Sequence, residues 1–225
     1  MDGRNSKCWY VDVCNQECSN SCIRYLEMKH LMDSSKLPPN KQIPVLLDAG
    51  EDYEQFLRLA EIKNSIIEFV KSGKNLYITS NYTGNGKTSW AIKLMLKYFD
   101  EIWAGNGFKT RALFVHVPTF LLHMKDFSNP MSEEYKADLL NCDLVVWDDI
   151  ASVNMSNYDF SQLLMYIDGR LLQNKSNIFT SNINSVKSLQ EHLGIKLASR
   201  IYNTSEIVEL RGKDRRTHGT VTDNQ

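Results

Sequence analysis

The sequence predicts an α/β protein built on a mainly parallel sheet, and three observations lead there. From residue 75 onward, short apolar, β-rich runs alternate with longer amphipathic stretches, the pattern of strands linked by crossover helices. A glycine loop, TGNGKTS (83–89), joins the first of these runs to a helical stretch. A later apolar run, LVVWDD (144–149), ends in adjacent carboxylates, at the strand end where α/β sheets collect ligands.

Each element follows from its local pattern. In YEQFLRLAEIKNSIIEFVKSG the apolar residues Phe56, Leu59, Ala60, Ile66, Phe69 and Val70 recur at helical spacing, and Gly73 is the expected stop. NLYITS (75–80) reads as the first strand and TSWAIKLMLKYF as the helix after the glycine loop. ALFVHV (112–117) is a second strand, followed by a helix starting near Pro118, whose fixed φ suits a first turn. SEEYKADLLNC is helical and leads into LVVWDD; YDFSQLLMYIDGRLLQNK is amphipathic. NIFTSN (177–182) is the fourth strand, two short helices follow, and SEIVEL (205–210) is the fifth.

Bulk properties bound the function. With 225 residues, 42% hydrophobic and 24% charged, the chain has the composition of a soluble globular protein. A formal net charge of -1 gives no global basic signal for nucleic acid. Neither a long apolar run nor an N-terminal apolar region is present, so no membrane span or secretory signal is expected and the setting is reducing. The stretch 33–50 carries three of the five prolines and reads as a connection, dividing a Cys-rich segment (1–50) from the main domain (51–225).

The glycine loop carries the chemistry. Its pattern is that of a phosphate-binding P-loop, G-x-x-x-x-G-K-[ST], with Asn81 in place of the first glycine. Backbone N–H groups and a helix N-terminus favour a bound polyphosphate. Asn81, Gly84, Asn85, Gly86, Lys87, Thr88 and Ser89 are the expected nucleotide cradle, with Lys87 reaching the phosphates and the Thr88 hydroxyl binding Mg²⁺. Asn81 is expected to take a positive φ, which Asn tolerates best among the non-glycine residues. The ordinary alternative is a glycine-containing turn that happens to bear a lysine. Asp148 is the natural Mg²⁺ partner, and Asp149 is placed to polarise an attacking water. Asn182, at a strand exit, can orient that water, although TSN is also a common turn. Arg200 is either a surface arginine or one reaching a neighbouring subunit. The tail RGKDRR contributes Arg215 and Arg216 as a solvated patch or a second phosphate sensor.

Taken in order and spacing, GNGKT, LVVWDDI, IFTSN, LASRIYN and GKDRR resemble the AAA+ ATPase module of DnaC/DnaI-type helicase loaders, with IstB-type transposition helpers as close relatives. The resemblance covers about residues 55–217. It implies a P-loop three-layer sandwich with parallel sheet order 5-1-4-3-2 and a lid domain that is reduced or absent. It also implies ATP and Mg²⁺ bound between subunits of a self-oligomer, Asn182 as first sensor, Arg200 as an arginine acting in trans, and Arg216 as second sensor. The implied partners are a replicative DNA helicase and, weakly, single-stranded DNA, in the cytoplasm of a bacterial host cell. Two departures stand: Asn81, and an Asp-Asp pair where most AAA+ ATPases have Asp-Glu, which predicts slow hydrolysis. An IstB-like transposition helper and a non-hydrolysing nucleotide-dependent adaptor are the alternatives. Lys109, Arg111, Lys125 and Lys136 are candidate DNA contacts that a solvated surface explains equally well.

Cys8, Cys14, Cys18 and Cys22 form the remaining cluster. Their spacing is not that of a common zinc knuckle, and on a straight helix the last three would span about 12 Å. A looped segment holding Zn²⁺ is expected, with an iron–sulfur cluster or unligated thiols as alternatives and His30 as a substitute ligand.

Overall fold

The computed structural model describes residues 8–10, 14, 21–42, 47–126, 128 and 130–212. Five strands form one sheet: β1 (Asn75–Thr79), β2 (Ala112–His116), β3 (Leu144–Asp148), β4 (Ser176–Ser181) and β5 (Ser205–Glu209). Their order is β2-β3-β4-β1-β5, with every pair parallel. Read from the other edge this is 5-1-4-3-2, as expected. Parallel pairing places all five carboxyl ends on one edge of the sheet.

Side-chain alternation explains why both faces are covered. Leu76, Ile78, Phe114, Leu144, Val146 and Ile178 enter one core. Their neighbours Tyr77, Leu113, Val115, Val145, Trp147 and Phe179 enter the other. The first core is completed by α1 (Ile23–Ser34), α2 (Tyr53–Asn64), α3 (Ile66–Lys71) and α4 (Lys87–Ile102). Helices α5 (Val117–Lys125), α6 (Glu133–Asn141), α7 (Asn157–Leu172) and α8 (Val186–Thr204) cover the second. Helix α1, from the Cys-rich segment, buries Met28, Leu31 and Met32 in the first core. The Ser35 carbonyl beyond it accepts the Phe114 N–H at 2.8 Å, so the outer edge of β2 is partly covered.

Local chemistry refines the expected boundaries. The stretch expected as one helix is two, α2 and α3, because Ser65 leaves helical geometry (φ -108, ψ 26) and its hydroxyl donates back to the Glu61 carbonyl at 2.9 Å. Gly73 does end α3, at φ +65. Any Cβ there would meet Asn174 atoms at 2.4 to 2.6 Å. The two short helices after β4 are joined as α8 through a kink at Gly194 (φ 70, ψ 159). A capping box starts α7: the Ser156 hydroxyl accepts from the Asp159 N–H, and the Asp159 carboxylate accepts from the Ser156 N–H.

The amino edge of the sheet is held by a buried arginine. Arg170 of α7 is fully buried and donates to Asn177 Oδ1 (2.7 Å) and to the carbonyls of Leu139 (2.9 Å), Cys142 (2.9 Å) and Ser176 (2.6 Å). Asn177 Oδ1 also accepts the Trp147 indole N–H at 3.1 Å, and its amide donates to Asn75 Oδ1 at 2.9 Å. Strands β1, β3 and β4 are thereby tied at their starts. Burial pushes the neighbouring Cys142 thiol up to about 11, which leaves it an inert packing group.

Arg170→Met keeps an apolar stem but strands three buried carbonyls. At about 1 kcal/mol or more for each orphaned acceptor, unfolding stability falls by about 3 kcal/mol or more. Urea denaturation of the variant measures it, and a loss within error of zero contradicts this role.

Candidate nucleotide site

The site begins where β1 ends. Ser80 is fully buried, and its hydroxyl accepts from the Tyr82 N–H (2.9 Å) and the Asn85 side-chain amide (2.5 Å). The Asn85 amide also reaches the Leu210 carbonyl (3.5 Å), just past β5, while Leu210 donates its N–H to the Thr79 carbonyl (2.8 Å). Asn85, expected as a ligand contact, is thus fully buried and spends its side chain bracing the loop. Gly84 (φ +70) and Gly86 (φ +104) lie in the left-handed region, where a side chain is costly. Asn81 does not. It is exposed and is not among the positive-φ residues, which corrects the expectation that it supplies a glycine-like conformation. The turn's conformational demands fall on Gly84 and Gly86, so position 81 accepts an ordinary residue.

Helix α4 starts at Gly86 with no side-chain cap. Its first-turn N–H groups and partial positive charge therefore face the loop without a competing side-chain acceptor. Lys87 is 8% exposed, and its ammonium donates to the Tyr82 carbonyl (2.7 Å) and to Asn85 Oδ1 (3.2 Å). Ser89 follows in the same turn, partly exposed.

The acidic strand end meets this loop directly. The Thr88 hydroxyl donates to Asp148 Oδ1 at 2.7 Å, across 60 residues of sequence. Asp148 is 3% exposed and accepts a second hydroxyl, from Thr180 of β4, at 2.8 Å. Asp149 sits one residue further, half-buried, at φ +60. Its N–H donates to Thr180 Oγ1 at 2.9 Å. Asn182 is exposed one residue beyond β4, on the same edge. Thr180 and Ser80 are the participants that the sequence reading missed. A threonine inside a buried strand looks like ordinary β-branched packing, and only its place opposite the acidic pair distinguishes it.

The donor set fits Mg²⁺ and a polyphosphate. A hydroxyl and a carboxylate in contact are hard oxygen ligands, and an uncapped helix start with two left-handed glycines is an anion cradle.

Other expected residues lie elsewhere. Helix α8 runs from the carboxyl end of β4 to the amino end of β5, and Arg200 is near its finish. It therefore stands toward the sheet edge opposite the P-loop, exposed, with its guanidinium paired to Asp168 of α7 at 2.5 Å. Arg215 and Arg216 lie outside the described residues, as does Cys18. Cys8 and Cys14 are half-buried against the first core, and Cys22 precedes α1. His30 meets Phe108 edge-on, with ring centroids 5.4 Å apart. Among the described residues no group of three or more His, Cys, Asp or Glu could hold a metal, so the expected zinc site finds no support there. No described helix is long and apolar enough to cross a membrane.

No family model and no curated protein matches the chain. Solved structures do. The DnaC helicase loader aligns with TM-score 0.64 at 18% identity, covering 77% of this chain and 99% of that one. The chain has the AAA+ fold. DnaI aligns with TM-score 0.60 at 18% identity, covering 77% of this chain and 94% of that one. AMPPCP-bound DnaA from Aquifex aeolicus aligns with TM-score 0.57 at 16% identity, covering 77% of this chain and 51% of that one. In this AAA+ fold the P-loop, the acidic pair and Asn182 share one edge of the sheet.

Because Asn81 needs no positive φ, Asn81→Gly brings no gain in nucleotide affinity. It costs about 0.4–1 kcal/mol of stability through added freedom of the unfolded chain. Titration with a fluorescent ATP analogue and thermal melting check both, and a clear gain in affinity contradicts the assignment.

Proposed function

We propose that this AAA+ protein binds ATP with Mg²⁺ at the P-loop and hydrolyses it slowly while placing a replicative helicase onto single-stranded DNA. The observation that carries the nucleotide part is the Thr88–Asp148 contact of 2.7 Å beneath an uncapped helix start. The hydroxyl and carboxylate proposed to hold Mg²⁺ are within hydrogen-bond distance of each other. Lys87 neutralises phosphate charge, the first turn of α4 donates backbone N–H groups, and Thr88 with Asp148 holds the metal. Bound Mg²⁺ supplies charge stabilisation at the phosphate oxygens. Asp149 accepts a proton from the attacking water, and Asn182 orients that water.

The helicase part is supported by likeness to DnaC and DnaI across 77% of the chain. Nucleotide use is supported by the AMPPCP-bound state of the similar DnaA. Arg200, directed away from its own P-loop, serves a neighbouring subunit's ATP in this reading, so the working form is an oligomer. Arg216 is the second phosphate sensor, and residues 1–50 are the segment that meets the helicase.

Lys87→Ala weakens ATP binding by about a hundredfold or more, from at least two lost charge-assisted hydrogen bonds at about 1.5–3 kcal/mol each. Isothermal titration measures it, and unchanged binding sinks the P-loop assignment. Co-purification with a replicative helicase, with and without ATP, tests the loading step. Recovery of no helicase in either condition sends the reading back to a nucleotide-dependent adaptor.

A further inference from the structure

The side of β4 facing the acidic pair holds a residue whose bonds exceed a packing role. Thr180 is 1% exposed and makes three hydrogen bonds to three consecutive residues of the neighbouring turn. Its hydroxyl donates to Asp148 Oδ1 (2.8 Å) and accepts from the Asp149 N–H (2.9 Å); its carbonyl accepts from the Ile150 N–H (2.9 Å). A threonine hydroxyl has one proton to give, and here it goes to the carboxylate that also receives Thr88. The turn it grips is strained, with Asp149 at φ +60 and Ala151 at φ +71. Non-glycine residues persist in that region only where surrounding bonds over-determine them. Regular pairing of β3 with β4 ends at Trp147 and Phe179, so the Thr180 contacts carry the alignment past the ladder.

We infer that Thr180 is a positioning residue for hydrolysis. It fixes the Asp148 carboxylate and the Asp149 backbone as one unit, so that the group holding the metal and the group polarising water keep a set spacing. Engagement of Thr88 by a metal takes one donor from Asp148; the Thr180 hydroxyl remains and prevents the carboxylate from rotating with the change. Asp149 cannot relax to an ordinary φ while its N–H is held. This inference rests on the reading of the P-loop cluster as an ATP site, and its test separates the two.

Thr180→Val removes the hydroxyl at nearly constant volume, and Thr180→Ser restores it without the methyl group. Loss of set geometry lowers kcat by about tenfold to a hundredfold in Thr180→Val, while the KM and the directly titrated affinity for an ATP analogue at saturating Mg²⁺ stay near wild type. The Mg²⁺ concentration needed for half-maximal analogue binding rises. Thr180→Ser recovers most of the rate and the wild-type Mg²⁺ requirement, and thermal melting confirms that both variants fold. A Thr180→Val enzyme with unchanged kcat and Mg²⁺ requirement overturns the role. Equal impairment of Thr180→Ser and Thr180→Val also overturns it, since the methyl group and not the hydroxyl would then matter. Should Thr180→Val not fold, Thr180→Ala takes its place: a folded enzyme with unchanged kcat and Mg²⁺ requirement overturns the role, and a loss that Thr180→Ser does not share supports it. Failure of the ATP-site reading itself looks different, as wild-type protein then binds no analogue and Lys87→Ala changes nothing.

Discussion

The Asp148 carboxylate is the point through which three elements of the protein hold one another. It ends β3, receives the Thr88 hydroxyl from α4 and receives the Thr180 hydroxyl from β4. A carboxylate buried to this degree is costly without donors, and its two donors come from helix and strand segments that the sequence separates widely. The P-loop helix, the acidic turn and the fourth strand therefore cannot shift independently. Displacing any one of them leaves a nearly buried carboxyl group short of a partner.

The two edges of the sheet divide the labour. At the amino edge, Arg170, Asn177, Asn75 and the Cys142 carbonyl form a buried network that ties the starts of β1, β3 and β4, and the Trp147 indole reaches back to it. Between the edges, apolar side chains alternate into two separate cores, and the strands are held as a rigid layer. The carboxyl edge carries left-handed residues at Gly84, Gly86, Asp149 and Ala151, and the amino edge carries them at Gly73 and Asn174.

Much of this was legible in the residues. The strands β1 to β4 were legible as short β-rich runs because a parallel sheet covered on both faces leaves little choice of composition, while the edge strand β5 was read from SEIVEL despite its partly exposed residues. The meeting of Thr88 with Asp148 was legible because a carboxylate at a strand's carboxyl end lies on the same sheet edge as the loop leaving β1. Thr180 was hidden because its β-branched side chain is ordinary in a strand and its role depends on a neighbour 32 residues away. Asn81 was misread: the motif marks a glycine there, but the left-handed turns fall at Gly84 and Gly86. The break at Ser65 depends on one hydroxyl choosing the Glu61 carbonyl, a competition that apolar spacing does not register. The cysteine spacing specified no loop geometry, so nothing in it fixed whether the thiols meet.

The Lys87 ammonium rests on oxygens of its own loop, the Tyr82 carbonyl and the Asn85 amide. In the proposed function, nucleotide capture exchanges these acceptors for phosphate oxygens around one ammonium. Lys87 is 8% exposed, so dissolved ions screen its charge less than they screen a surface ammonium. In that reading, binding at this site depends less on ionic strength than binding to surface lysines does.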